Sequence, residues 1–256
     1  KSMMFSEAFA YANVPYRIKP YASILSDPYD TIEFDEALDK TIDARVEVMG
    51  ADGRLMPDPN GGVYQVNLAE KILVTLLSKI ANFVPDTGIW MNTQRPEWND
   101  ANNALVGTGV SVVTLCYLHR FLNKIVPLFA ELEQESVTLS EEVADFLAEV
   151  TAVLETNQES IGSGPVSDAV RKDVMEALGT AAERYRNRIY QQGFSAAKRP
   201  VALSSVVDCL SRARDISAVS IRSNRREDGL YHAYNRIAVS DSGVEIKYLY
   251  EMLEGQ

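Results

Sequence analysis

The stretch 110–129 is the most apolar in the chain, and it is apolar nearly all round the helical wheel. A helix without a polar face has to be covered on most sides. His119, Arg120 and Lys124 interrupt the run, which argues against a membrane span. The expectation is therefore a buried helix over about 110–132, with other helices packed around it. That describes the inner layer of a double-layered helical toroid or the centre of a large bundle.

The remaining pattern is also mostly helical. Leu38, Ile42 and Val46 share one face of a helix over 36–49, which Gly50 stops. Asn67 and Glu70 have the spacing of a capping box and open a helix that runs to about Phe83. Further helices are expected over 138–155, 165–191 and 204–218. Pro15, Pro20 and Pro28 exclude a long helix near the start, so 3–34 reads as an irregular segment laid on a surface. Residues 237–239 and 244–246 flank the turn Ser240-Asp241-Ser242-Gly243 and predict a hairpin, followed by a helical tail over 247–254. The fold expected is mainly α: part or all of an (α/α) toroid, with a small β-hairpin near the C-terminus.

A chain of 256 residues with 46% hydrophobic composition can bury a sizeable core. No internal repeat or low-complexity linker divides it, so 1–256 is read as a single helical domain. Lys1 is not an initiator methionine and 248–256 stops inside a helical pattern, which suggests a segment of a longer multidomain protein. No secretory signal opens the chain, and for a segment that says little about compartment.

The formal net charge of −11 argues against nucleic acid as the main partner, because phosphate neutralisation needs clustered Lys and Arg. It suits a neutral ligand. Cys116 and Cys209 show no metal-ligand spacing, and His119 and His232 are the only histidines. No metal and no cofactor is expected, and no phosphate-loop, dinucleotide or Ser-His-Asp pattern occurs.

The candidate site lies just before the apolar helix, within 92–109. Glu97 and Asp100 flank Trp98, and the amides of Gln94, Asn99, Asn102 and Asn103 crowd around them with Arg95. Protonating a glycosidic oxygen needs a carboxylic acid held close to it. Amides and an arginine fork suit sugar hydroxyls, and a tryptophan offers a flat apolar face to a pyranose. So many polar groups are costly to bury unpaired, so they should face a cleft. The competing reading makes Glu97 and Asp100 ordinary first-turn acids of a helix, with Trp98 a core plug.

Glu97-Trp98-Asn99-Asp100 resembles the Asp-Trp-Asn-Asp element of the cellobiose phosphorylase family and related (α/α)6-barrel glycosidases. Trp98, Asn99 and Asp100 match directly, Glu97 replaces the usual Asp, and Ala101-Asn102-Asn103 replaces a Gly-Met-Asn continuation. The resemblance implies an (α/α)6 toroid with the site in loops at one mouth. It also implies Asp100 as general acid, a glycoside or oligosaccharide substrate and, for a phosphorylase, inorganic phosphate. A complete toroid of that kind needs twelve helices, and this chain offers about half that number.

An inverting hydrolase also needs a second carboxylate about 6.5–9.5 Å from the acid. Glu97 is too near Asp100 in sequence for that role, whereas a phosphorylase needs a cationic anion site instead. Arg222, Arg225 and Arg226 offer forks for anions, and Tyr231, His232, Tyr234 and Asn235 could line a sugar cleft. Gly107-Thr108-Gly109 reads as a tight turn or, less simply, as an anion site at a helix start. The function expected is cleavage of a glycosidic bond by a glycoside hydrolase or phosphorylase. The alternative is a non-catalytic carbohydrate-binding or structural helical-toroid domain.

Overall fold

The computed structural model describes residues 2–93 and 104–250. The chain begins with small elements: β1 (Phe9–Ala10), β2 (Tyr16–Ile18), α1 (Tyr21–Ser26) and β3 (Ile32–Phe34). Then come α2 (Glu36–Met49), β4 (Gln65–Val66), α3 (Leu68–Ile80), β5 (Phe83–Val84) and β6 (Gly88–Trp90). The second half holds β7 (Gly109–Ser111), α4 (Val112–Ala130), β8 (Ser136–Ser140), α5 (Glu141–Gly162) and α6 (Asp168–Gln192). It ends with β9 (Lys198–Ala202), α7 (Leu203–Ser223), β10 (Tyr234–Ser240) and β11 (Gly243–Tyr248).

The toroid expectation is overturned. The fold is 54% helical and 20% strand, and no α/α toroid forms among the described residues. A curled five-stranded antiparallel sheet, ordered β11-β10-β7-β6-β5, forms a half-barrel instead. Its two edge strands, β11 and β5, both touch α6, so the sheet wraps round that helix. The expected hairpin at 237–246 is one edge of this sheet, with Ser240 opposite Gly243 and Asn235 opposite Tyr248. The strand β11 extends through Tyr248, where the sequence pattern predicts the start of a helical tail.

The helices form a layered bundle: α4 packs on α7, α7 on α5, and α5 on both α6 and α3. Their main core includes Leu73 and Leu77 of α3, Leu115 and Leu122 of α4, Phe146 of α5 and Leu210 of α7. A separate cluster fills the hollow of the sheet, where Trp90, Val110, Ile237 and Val244 meet Met175 of α6 and Tyr21 and Ile24 of α1. Gly179 makes room there, since a Cβ on it would lie 2.2 Å from Tyr21 Cε2.

The long apolar helix is only half covered. Leu115, Leu122 and Phe129 are buried, but Tyr117 is 64% exposed and Phe121 46%. Local chemistry accounts for the element starts. Asn67 Oδ1 accepts from the Glu70 amide at the head of α3, and Ser111 Oγ accepts from the Thr114 amide at the head of α4. The capping box is not reciprocal: the Glu70 carboxylate turns away to accept from Ser140 N at 2.8 Å, Ser140 Oγ at 2.6 Å and Tyr11 OH at 3.0 Å.

The buried Arg171 ties helix to sheet. Its guanidinium donates to the carbonyl oxygens of Pro85, Val166 and Val244, and to Asp168 Oδ1. Asp86 lies 3.6 Å away, and its carboxylate accepts from Val166 N and Ser223 Oγ.

Candidate functional site

The candidate loop is the connection between β6 and β7, two neighbouring antiparallel strands. Three bonds close its base. Met91 N donates to Gly109 O at 3.0 Å, Gly107 N to Met91 O at 2.6 Å, and Trp90 Nε1 to Gly107 O at 2.9 Å. Gly107 has φ +86°, and a Cβ there would meet Pro28 at 2.6 Å. Gly109 is equally confined, with Leu105 Cβ 2.5 Å from the place of a Cβ. These glycines serve the turn and the close approach of chains. The helix start that follows them is capped by Ser111.

Gln94, Arg95, Glu97, Trp98, Asn99, Asp100, Asn102 and Asn103 lie outside the described residues. The two roots of their loop, Asn92 with Thr93 on one side and Val106 on the other, line a cavity of about 470 Å³. That volume falls in the usual range for a small-molecule site, about 300–1,000 Å³. Ile18, Ile89, Trp90 and Met91 supply apolar wall. Ser78, Asn82, Asn92, Thr114 and Tyr117 supply amides and hydroxyls, and Lys79 and Arg186 supply charge.

The amides are ordered with respect to one another. Asn82 Nδ2 donates to Ser78 O at 3.1 Å, and Asn92 Nδ2 donates to Asn82 Oδ1 at 2.8 Å. This chain of bonds fixes the Asn92 amide, whose own oxygen can accept from a ligand hydroxyl. Burial lowers the pKa of Lys79, and burial also lowers that of Arg186, where Tyr190 and Glu183 partly offset it. Such a wall can hold the hydroxyls of a small polar ligand while its apolar faces rest on Ile89 and Met91.

The secondary candidates lie elsewhere. β10 runs antiparallel to β7, with Arg236 opposite Gly109 and Tyr234 opposite Ser111. The loop enters β7 at its Gly109 end, so Tyr231 and His232, which precede Tyr234, lie toward the other end. Tyr234 and Asn235 are buried in the sheet. Tyr231 lines a cavity of about 360 Å³ with Cys116, Tyr117 and Arg120. Tyr117 thus borders both this hollow and the one at the loop roots. His232 also lines a third cavity of about 550 Å³ with Arg225 and Arg226, its ring centroid 5.0 Å from those of Tyr248 and Tyr250. Arg226 is already engaged, 2.8 Å from Asp228. His119 Nδ1 is 2.9 Å from Ser217 Oγ and 3.1 Å from Arg214 O, a satisfied histidine on the helix face.

Sequence reasoning missed Lys79, Asn82, Thr114, Tyr117 and Arg186. Lys79 and Arg186 are separated by several helices and strands along the chain, so no local pattern joins them. Asn82 carries a weak signal, standing just past the last apolar position of α3. No protein-family model matches the chain, and no curated protein is significantly similar to it.

Proposed function

We propose that this chain binds a sugar in the cavity at the loop roots and cleaves a glycosidic bond there, with Asp100 as general acid. One observation carries the reading: the loop holding Glu97-Trp98-Asn99-Asp100 springs from the rim of an amphipathic cavity of about 470 Å³. Cavities that take sugars combine fixed amides and hydroxyls with apolar faces. The Asn82–Asn92 pair, Thr114 and Tyr117 supply the first, and Ile89, Trp90 and Met91 the second. In this reading Trp98 stacks on the sugar ring, while Gln94, Arg95, Glu97, Asn99, Asn102 and Asn103 orient hydroxyls or the acid. The support is the loop chemistry and the cavity; the toroid has no part in it.

The test is turnover of a panel of glycosides, with and without inorganic phosphate, by the full chain and by Asp100→Asn. Loss of a general acid lowers turnover about 10²- to 10⁴-fold. Unchanged turnover in Asp100→Asn would sink the assignment. A second reading, sugar binding without cleavage, has its own support: among the described residues the cavity lining contains no aspartate or glutamate to act as a base. It predicts saturable binding of the same panel with no product from the unsubstituted chain.

A further inference from the structure

We infer that the outer face of α4 docks an amphipathic helix of a partner protein, apolar along its seam and with a carboxylate set opposite Lys124. The inference is independent of the carbohydrate reading.

The helix α4 has two unlike faces. Leu115, Leu118, Leu122, Ile125 and Phe129 turn inward to the main core. Tyr117, Phe121, Lys124 and Leu128 turn outward and are exposed. Their spacing of four, three and four residues sets them in one seam along the helix, the repeat against which a second helix packs. Single exposed apolar side chains carry little meaning, but three in line on one helix make a patch. Aromatic residues are enriched at interface centres, and anchors at these spacings are how one helix engages another. Beside the seam lies the hollow of about 360 Å³, walled by Val113, Cys116, Tyr117 and Tyr231, with room for a leucine or aromatic anchor of the partner.

Lys124 decides the chemistry of that partner. It stands between Phe121 and Leu128 in the seam and has no partner among the described residues. One lysine in an apolar seam fixes register and selects against a wholly apolar partner. A bilayer sets hydrocarbon against that ammonium, whereas the cations of an interfacial helix belong on its polar face. A second copy of the chain brings the same cationic seam. The chain carries 36 acids, yet none lies between 101 and 130, so α4 holds no carboxylate of its own for Lys124. Arg120, at the rim of the hollow, lengthens the positive strip. Charge complementarity therefore selects an acidic helix.

The test is fluorescence anisotropy of the full chain with synthetic helical peptides about three heptads long. All share a seam of leucines. Each carries glutamate, glutamine or lysine at one seam position, and that position is stepped along the peptide from member to member. The unsubstituted chain should prefer the best glutamate member over its glutamine and lysine counterparts by at least about fivefold. Lys124→Glu should invert the order and favour the lysine member. Phe121→Ser should weaken every member by about tenfold or more. Unfolding midpoints confirm that both variants fold. Equal affinity for the three charges overturns the inference, and it is also the result expected if Glu97, Asp100, Glu251 or Glu254 of the undescribed segments already satisfies Lys124. A glutamate preference that persists in Lys124→Glu overturns it as well. Phosphatidylcholine vesicles with and without phosphatidylserine probe the lipid alternative, and sedimentation of the chain alone probes self-association. Vesicle binding or self-association that Phe121→Ser abolishes, with no peptide bound, assigns the face to a membrane or a second copy and overturns the inference. No binding by any peptide overturns it too.

Discussion

Gly179 sits in the interior of α6, where an alanine would ordinarily stabilise a helix by about 1 kcal/mol. Here the ring of Tyr21 occupies that space, held by its hydroxyl on the Met175 carbonyl and edge-on against Trp90. Gly179→Ala should therefore destabilise the chain by roughly 1–3 kcal/mol. Gly162 at the end of α5 has open space within 4 Å of where a methyl would stand, so Gly162→Ala should be neutral or mildly stabilising. Urea denaturation of the two variants makes the comparison. Glu70 supplies a pH-dependent counterpart. Burial raises its pKa in spite of the hydrogen bonds from Ser140 and Tyr11. The folded state thus keeps that proton to higher pH than the unfolded chain does. The Glu70 contribution is fully present below the ordinary value of about 4.3 and is lost as pH rises through the folded value. Glu70→Gln should gain stability relative to the unsubstituted chain as pH rises above the ordinary carboxylate range, because only the parent chain must then lose the buried proton. A stability difference independent of pH would refute the assignment. At this scale half of the chemistry is legible: Asn67 is readable as a cap, but nothing local reveals that Glu70 abandons its capping partner for Ser140, seventy residues on.

Among the elements, helices are legible and strands are not. The helix over 36–49 matches its apolar period, as its fourteen residues present Ile42 inward. By contrast β5, β6 and β7 have two or three residues each and are buried on both faces, so they show no alternation to detect. Their apolar residues therefore read as extensions of the flanking helices, which is why α3 ends at Ile80 rather than Phe83 and α4 begins at Val112. Composition also hides the two faces of α4. Leu122 is fully buried and its neighbour Phe121 is 46% exposed. Leu122→Ala should cost about 2–5 kcal/mol, whereas Phe121→Ser should stay within about 1 kcal/mol of the parent chain. Equal losses for the two would mean that the outer face is covered after all.

For the whole molecule, the arrangement comes from contacts remote in sequence. The toroid expectation rests on the apolar helix at 110–129, whose outer face is in fact exposed at Tyr117 and Phe121, and on a few residues at 97–100, and a short site motif constrains chemistry more than architecture. What organises the fold is the sheet bent round α6, with Arg171 bonded to the carbonyls that follow β5 and lie within β11. Arg171→Leu leaves Asp86 and those carbonyls buried without their cation and should cost about 3–5 kcal/mol. Amide hydrogen exchange should then quicken in β5 and β11 together, whereas a purely local loss would spare one of them. The candidate cavity has the same remote origin, since its described walls come from β2, α3, β6, α4 and α6. The loop chemistry is legible in one short stretch, and the vessel beneath it is not.

The three bonds at the base of the β6–β7 connection have an evolutionary consequence. They join Trp90 and Met91 to Gly107 and Gly109 and so close the sheet below the loop, whatever chain lies between. Closing a longer excursion costs only slowly increasing entropy, about 0.6 kcal/mol per doubling of length. Descendants of this fold can therefore exchange the segment wholesale, acquiring new specificities by loop replacement while the β-half-barrel and its cavity stay as inherited stock.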